Sequence, residues 1–431
     1  MTSNQINVNT TSLFMIITFW GRILLSILFL LEGIEVEQNL FDQNFKYPLI
    51  FLTMSLLPPT MVSINQKRFT QNSETCIIIF FCFILLLSVF RVESFWFFFV
   101  LFELSVIPIL LIISSSGGSK SRLEARKFLF IFTRGSSLIL LFVLVWISLK
   151  NWEIRGEIST CFSNLENFQN RFFPLAALLT FFVKIPSLFL HIWLPKAHVE
   201  APVFGSIVLA RIMLKMGGYG IIFFRRILDY FFTSSTSFIF LFFSLYSAFI
   251  CYGQKDLKVL IAYSSVNHIA LVLVATIMGW SYGILGSLLL MLGHGVISSI
   301  LFFMRSVLYN RTSRRSLTII SRGRKDYSIF MVWVIFCFIN MGFPPFVNFL
   351  GEIYILKVII VNPFFFFLSL FNFFLVGLYG ILIISSIAQR KSQKFSFYNS
   401  SGGLREYMIW ISVSGHLFSF FIINIFKGGI F

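Results

Sequence analysis

Ten ionisable side chains interrupt long apolar stretches of this sequence: Glu103, Arg134, Lys184, His191, Arg211, Lys215, His268, His294, Glu352 and Lys357. If those stretches cross a bilayer, each charge near its centre costs roughly 2.5–3.5 kcal/mol. Lysine, histidine and glutamate are also side chains that take up and release protons, so their presence together points to proton transfer. Residues near the ends of their stretches, His268, Arg134 and Lys357, can extend their polar tips to water. That account fails for Glu103 in FELSVIP, Lys184 two residues before Pro186, Lys215, His294 and Glu352. For a buried lysine, loss of water favours the neutral amine, whereas a carboxylate alongside favours the ammonium. A Glu103 carboxylate that approaches and leaves Lys184 would make the lysine load and unload a proton. Lys215, His294 and Glu352 would extend the relay. His191 lies seven residues after Lys184, on the same face of a helix, and joins His268 and Ser264 as a secondary candidate. Ser264, Ser265 and Asn267 could hold water between stations. Arg211 precedes Lys215 by one helical turn and either repels it or reaches a carboxylate. Buried charge pairs that only lock helices together would leave the same trace in sequence.

Such groups need a membrane-spanning scaffold. Of the 431 residues, 57% are hydrophobic and 12% charged, against about 25% charged in a soluble domain. The apolar runs predict an all-α polytopic membrane protein with thirteen spans. They cover about 11–32, 46–64, 76–90, 94–113, 127–148, 173–199, 203–224, 236–252, 257–278, 281–304, 328–360, 363–386 and 408–426. The polar, uncharged start MTSNQINVNTTS and the apolar run after it read as a first span rather than a cleaved leader. The net charge of +17 does not indicate a nucleic-acid partner, because the basic residues gather between the runs. Loops after even-numbered spans hold 19 Lys and Arg, and loops after odd-numbered spans hold 7. That bias places the even loops and the N-terminus on the inner side and the C-terminus outside.

The sixth and eleventh spans are broken internally, the sixth at Lys184-Ile185-Pro186 and the eleventh at Gly342-Phe343-Pro344-Pro345. Proline inside a span frees backbone carbonyls, which must then face protein or water. The breaks stand five spans apart, at matching places in two blocks, 76–224 and 236–386. That arrangement predicts two inverted five-helix repeats. Residues 1–75 precede them as N-terminal spans, and 387–431 follow as a loop and last span. GGYG (Gly217–Gly220) sits inside a span, where small residues permit close helix packing. The phosphate loop GxxxxGK[ST], a GxGxxG after a strand and CxxCH do not occur, and the five cysteines form no CxxC. Neither ATP chemistry, nor a redox cofactor, nor a metal is expected in this chain. Driving each proton against 100 mV takes about 2.3 kcal/mol, so the energy must come from elsewhere.

The stretch FVKIPSLFLHIWLPKAHVEAPVFGSIVLARIMLKMGGYG (Phe182–Gly220) resembles the signature of the mitochondrial subunit 4 type of antiporter-like subunit in NADH:ubiquinone oxidoreductase, respiratory complex I. KDLKVLIAYSSVNHIALV (Lys255–Val272), MLGHGVISSILF (Met291–Phe302) and GFPPFVNFLGEIYIL (Gly342–Leu356) agree in the same order, and FELSVIPILLII (Phe102–Ile113) fits the family's glutamate helix. The resemblance covers about 90–390 and implies a proton-pumping membrane-arm subunit. It makes Glu103 the helix carboxylate and Lys184 its partner at the broken helix. Lys215 becomes the central relay lysine, His294 a central-axis residue and Glu352 the exit-side carboxylate. It further implies that FMN, iron–sulfur clusters and ubiquinone reside in partner subunits. Neighbouring antiporter-like subunits would adjoin the chain, along with membrane lipids, cardiolipin among them. The location implied is the mitochondrial inner membrane, with the N-terminus in the matrix and the C-terminus in the intermembrane space. The family usually has fourteen spans against thirteen here, and Arg134 and Arg211 replace residues that are usually apolar or small. Two other readings remain open: a subunit of a multi-subunit cation/proton antiporter from the same superfamily, and a membrane scaffold.

Overall fold

A computed structural model of the chain describes residues 40–56, 60, 70–92, 94–116, 121–153, 168–224, 234–279, 281–312, 316 and 327–388. The first and last expected spans lie outside these residues. Among the described residues the regular structure is helical, as hydrocarbon requires of a chain that must satisfy its backbone internally. In chain order the helices begin with α1 (Leu40–Met54), α2 (Thr70–Arg91), α3 (Phe95–Leu104), α4 (Val106–Ser116) and α5 (Arg122–Glu153). Next come α6 (Phe168–Lys184), α7 (Trp193–Glu200), α8 (Val203–Val208), a π-helical turn (Leu209–Met213) and α9 (Leu214–Phe223). The order closes with α10 (Ser234–Gly253), α11 (Leu257–Met278), α12 (Ser281–Thr312), α13 (Tyr327–Asn340), α14 (Val347–Ile359) and α15 (Pro363–Ala388). Among the described residues, eight helical stretches are long and apolar enough to cross a membrane. The chain is a multi-pass, membrane-embedded protein.

Local sequence explains most boundaries. The division between α3 and α4 falls at Ser105, because Pro108 has no N–H to give the Leu104 carbonyl. At 32 residues each, α5 and α12 reach about 48 Å at 1.5 Å per residue, well beyond the roughly 30 Å hydrocarbon core. Helix α11 ends at Gly279, whose φ of 75° closes it with a left-handed cap.

Both expected breaks are present, and each is closed in the same way. Pro186 cannot donate, so the Phe182 carbonyl takes the Ser187 N–H at 3.2 Å. The Trp193 indole then donates back to the Val183 carbonyl at 2.9 Å. In the second break, the Phe338 carbonyl takes the Phe343 N–H at 3.2 Å, and Asn348 Nδ2 donates to the Ile339 carbonyl at 3.4 Å. Each second half-helix thus sends one side chain back to a carbonyl of the first. The break at 341–346 contains Gly342 at φ 72° and a cis peptide between Pro344 and Pro345.

Burial separates centre from periphery. The spanning windows of α11 and α12 are 94% buried and that of α8–α9 is 89%, whereas those of α5 and α15 are 39%. Exposed Phe130, Ile131, Leu138 and Phe142 on α5 and Phe364, Phe367, Phe374 and Ile381 on α15 form outward apolar faces suited to lipid. Helices α12 and α14 cross at small residues, where a Cβ on Gly351 would lie 2.9 Å from the Leu290 backbone nitrogen. Gly217 does the same for α9 against the first break. A Cβ there would lie 2.5 Å from Ile185 Cγ1, bearing out the packing role expected of GGYG.

Candidate proton-relay site

The expected stations fall into two groups. In the first, Glu103 sits at the end of α3, buried at 8% side-chain exposure, and Arg134 Nη1 of α5 lies 3.0 Å from its Oε2. Lys184, the last residue of α6, donates from Nζ to the Phe102 carbonyl at 2.9 Å and lies over the Phe102 ring. The expectation of a Glu103–Lys184 pair is therefore met only in part. The lysine is anchored at the residue before the glutamate, and the ion pair of Glu103 is with Arg134. Arg134 keeps 34% of its side chain exposed while its guanidinium reaches the Glu103 carboxylate.

The second group gathers one titratable residue from each of four helices. Lys215, at the start of α9, is 1% exposed. Its Nζ donates to the Ala210 carbonyl at 2.7 Å and meets His294 Nδ1 of α12 at 3.1 Å. An ammonium there requires that nitrogen of His294 to be the acceptor, with the proton on Nε2. The ring of His294 lies 5.3 Å, centroid to centroid, from that of His268 on α11. His268 Nδ1 in turn lies 3.8 Å from Glu352 Oε1 on α14. His268 is 1% exposed at the middle of its helix, so its assignment to a span end is corrected, and it bridges His294 to Glu352. Gly342 abuts the Glu352 carboxylate so closely that a Cβ would collide with it. Between the two groups stands Ile185, fully buried and packed on Gly217.

The π turn explains where Lys215 points. Leu209–Met213 interrupts an otherwise α-helical run, a feature common at functional sites. Ala210, whose carbonyl receives the Lys215 amine, lies inside it. Arg211 is also in this turn and fully buried. It donates from Nη1 to Ser299 Oγ of α12 at 3.3 Å and from Nη2 to Ser55 Oγ just past α1. Both of these partners are serine hydroxyls.

The remaining candidates are placed apart from these two groups. Residues 185–192 are not helical, so seven-residue spacing does not put His191 on the face of Lys184. His191 sits among Phe243, Tyr246 and Tyr263 of α10 and α11 instead. Ser264 and Ser265 donate to carbonyls of their own helix, Ile261 and Ala262, leaving their oxygens as acceptors. Asn267 forms a reciprocal amide pair with Asn372 of α15, at 3.3 and 3.1 Å. Lys357 is exposed and lies over the Tyr354 ring, as snorkelling predicts.

Two residues escaped the sequence reading. His198 is fully buried, stacked on Phe302 with centroids 4.6 Å apart. It falls within the sixth expected span and inside the quoted LPKAHVEAP, so residue type and position were both available signals. Lys258 counted only as a loop charge, yet it donates to the Val199 and Ala201 carbonyls at 2.9 and 2.7 Å, closing the C-terminal end of α7.

Interrupted helices around buried lysines, histidines and carboxylates define the antiporter-like class of membrane subunit. Residues 93–389 match the family described as NADH:quinone oxidoreductase/Mrp antiporter, TM. The fold is shared with a chain of respiratory complex I from Thermus thermophilus, at TM-score 0.74 and 20% identity over 89% of this chain and 80% of that one. It is shared equally with a chain of the Mrp complex from Dietzia sp., at TM-score 0.73 and 13% identity over 88% and 82%. Sequence relatives are more specific. NADH-ubiquinone oxidoreductase chain 4 of Artemia franciscana is 38% identical over 76% of this chain and 83% of its own length. That of Polypterus ornatipinnis is 36% identical over 72% and 69%. The chain belongs to the NADH-ubiquinone oxidoreductase chain 4 family.

Proposed function

We propose that this chain is a proton-translocating membrane-arm subunit of respiratory complex I. The observation that carries the reading is the buried line Lys215–His294–His268–Glu352, four titratable groups from four helices in sequence. A proton on Lys215 passes to His294 Nδ1 along the 3.1 Å contact. Reorientation of the imidazoles carries it to His268 and on to Glu352. Glu103 and Lys184 act upstream as the switch, the lysine holding a proton while the carboxylate faces it and giving it up when the carboxylate turns away. His191, Ser264 and the buried Ser265 serve as secondary stations. NADH oxidation and ubiquinone reduction in partner subunits, which hold the FMN, iron–sulfur clusters and ubiquinone, supply the energy. This chain itself holds no redox site.

The reading includes thirteen spans, with inverted five-helix repeats at 76–224 and 236–386 between the 1–75 and 387–431 segments. The matching closures of the two helix breaks support that symmetry. Neighbouring antiporter-like subunits and membrane lipids, cardiolipin among them, surround the chain in the mitochondrial inner membrane. The N-terminus faces the matrix and the C-terminus the intermembrane space. The cation/proton antiporter alternative shares the fold, but the relatives most similar in sequence that are cited above carry the oxidoreductase name.

The test uses the assembled complex in sealed vesicles, with acidification followed per NADH oxidised. Lys215→Met and Lys184→Met are expected to abolish the share of pumping that passes through this chain. Lys215→Arg is expected to do the same, because a guanidinium does not release its proton. Unchanged pumping in all three would leave only a scaffold.

A further inference from the structure

Glu103 has one carboxylate and two cations within its surroundings, and the cations are chemically unequal. Arg134 holds it at 3.0 Å from α5, while Lys184 of α6 is tethered beside it by the Phe102 carbonyl at 2.9 Å. Neither oxygen of the Glu103 carboxylate has a hydrogen-bond partner among the described residues, nor does Arg134 Nε, so the pair is held by charge and is not committed to a fixed network. A guanidinium stays charged in any protein environment, whereas a buried lysine can be emptied.

We propose that Arg134 is the second counter-ion of Glu103, and that the carboxylate alternates between Arg134 and Lys184. This rests on the reading of Glu103 and Lys184 as a switch, and it names the device that makes the switch reversible. With Glu103 on Arg134, the arrangement described here, Lys184 lacks a facing carboxylate and yields its proton. With Glu103 on Lys184, the ammonium is held and the lysine reloads. Arg134 is a positioning residue: it touches no transferred proton and acts by giving the carboxylate a second resting place. Without it, Glu103 has only Lys184 to pair with, and the lysine stays loaded.

The experiment is a double-mutant cycle in the assembled complex, reading NADH-driven acidification and the NADH KM. Arg134→Leu is expected to lower the coupled rate at least about fivefold with KM unchanged, and Arg134→Lys to restore at least half. In a Glu103→Gln background, adding Arg134→Leu is expected to change the rate by less than about twofold, because the shared step is already lost. If Arg134→Leu blocks assembly, Arg134→Lys is compared with the neutral Arg134→Gln, and equal rates overturn the proposal. A fivefold further loss in the Glu103→Gln background also overturns it, since Arg134 would then act apart from Glu103. If Glu103→Gln reduces pumping while Arg134→Leu pumps normally, the proposal fails and the Glu103 switch survives. If Glu103→Gln itself is silent, the switch reading fails and the proposal with it.

Discussion

Gly217→Ala is a one-carbon change that should act on both lysines at once. The added Cβ would lie 2.5 Å from Ile185 Cγ1 and 3.2 Å from the Ile185 backbone nitrogen. Carbon atoms rest at about 3.5–4.0 Å, so either α9 or the first break must yield by about 1 Å. Overpacking of this kind costs about 1–3 kcal/mol in a packed core. Ile185 adjoins Lys184, and Gly217 stands two residues after Lys215, so the displacement falls between the two groups of the relay. A misplacement of about 1 Å can slow a reaction by up to about 100-fold. The expected result is a complex that assembles, with NADH-driven acidification of vesicles slowed by about tenfold or more. Adding Ile185→Ala removes the 2.5 Å contact and leaves only the 3.2 Å one, which a shift of a few tenths of an ångström absorbs. The double variant should therefore recover most of the rate. The reasoning is refuted if Gly217→Ala pumps at the parent rate with unaltered thermal stability, or if the double variant is no faster than the single.

Gly342→Ala faces two penalties, about 1–2 kcal/mol for a left-handed backbone at φ 72° and displacement of the Glu352 carboxylate. Coupled turnover should fall, and Gly342→Asn, which tolerates that φ but keeps a Cβ, should not restore it; recovery with Asn would show that backbone conformation alone matters. Asn267→Leu and Asn372→Leu each strand one buried amide, at about 1–3 kcal/mol. Each should lower the unfolding temperature of the complex, with the double variant nearer the parent than either single; additive losses would count against a mutual pair.

Helix positions were legible because a span in hydrocarbon announces itself as an unbroken apolar run, and the described helices fall on the expected ones. The breaks were legible because proline withdraws a donor at a known place. What remained hidden depends on register between separate helices. Glu103 and Arg134 meet because α3 and α5 pack at one particular rotation, which no pattern along either helix encodes. His268 stands at the middle of the 257–278 run, so its position along the run already excludes a span end, and only the packing of α11 on α12 shows which neighbour its ring meets. The spacing from Lys184 to His191 was converted to a shared face by helical arithmetic, yet the intervening residues are not helical. The π turn at Leu209–Met213 left no signal because the surrounding run is buried on all sides and has no periodicity to interrupt.

That turn makes the site sensitive to length as well as to identity. A π turn accommodates one residue more than the α turn it replaces, and each residue of α-helix is about 100° of rotation. Deleting any one residue from Leu209–Met213 would regularise the helix and keep Lys215, Gly217 and every charge of the relay. Because the turn takes up its extra residue without rotating the helix beyond it, Lys215 would still face His294, but the opened turn whose Ala210 carbonyl receives its amine would be lost. Selection on this segment therefore acts on keeping the widened turn open beside Lys215. A single-codon deletion there would loosen the lysine's hold on its place while removing no group that carries a proton.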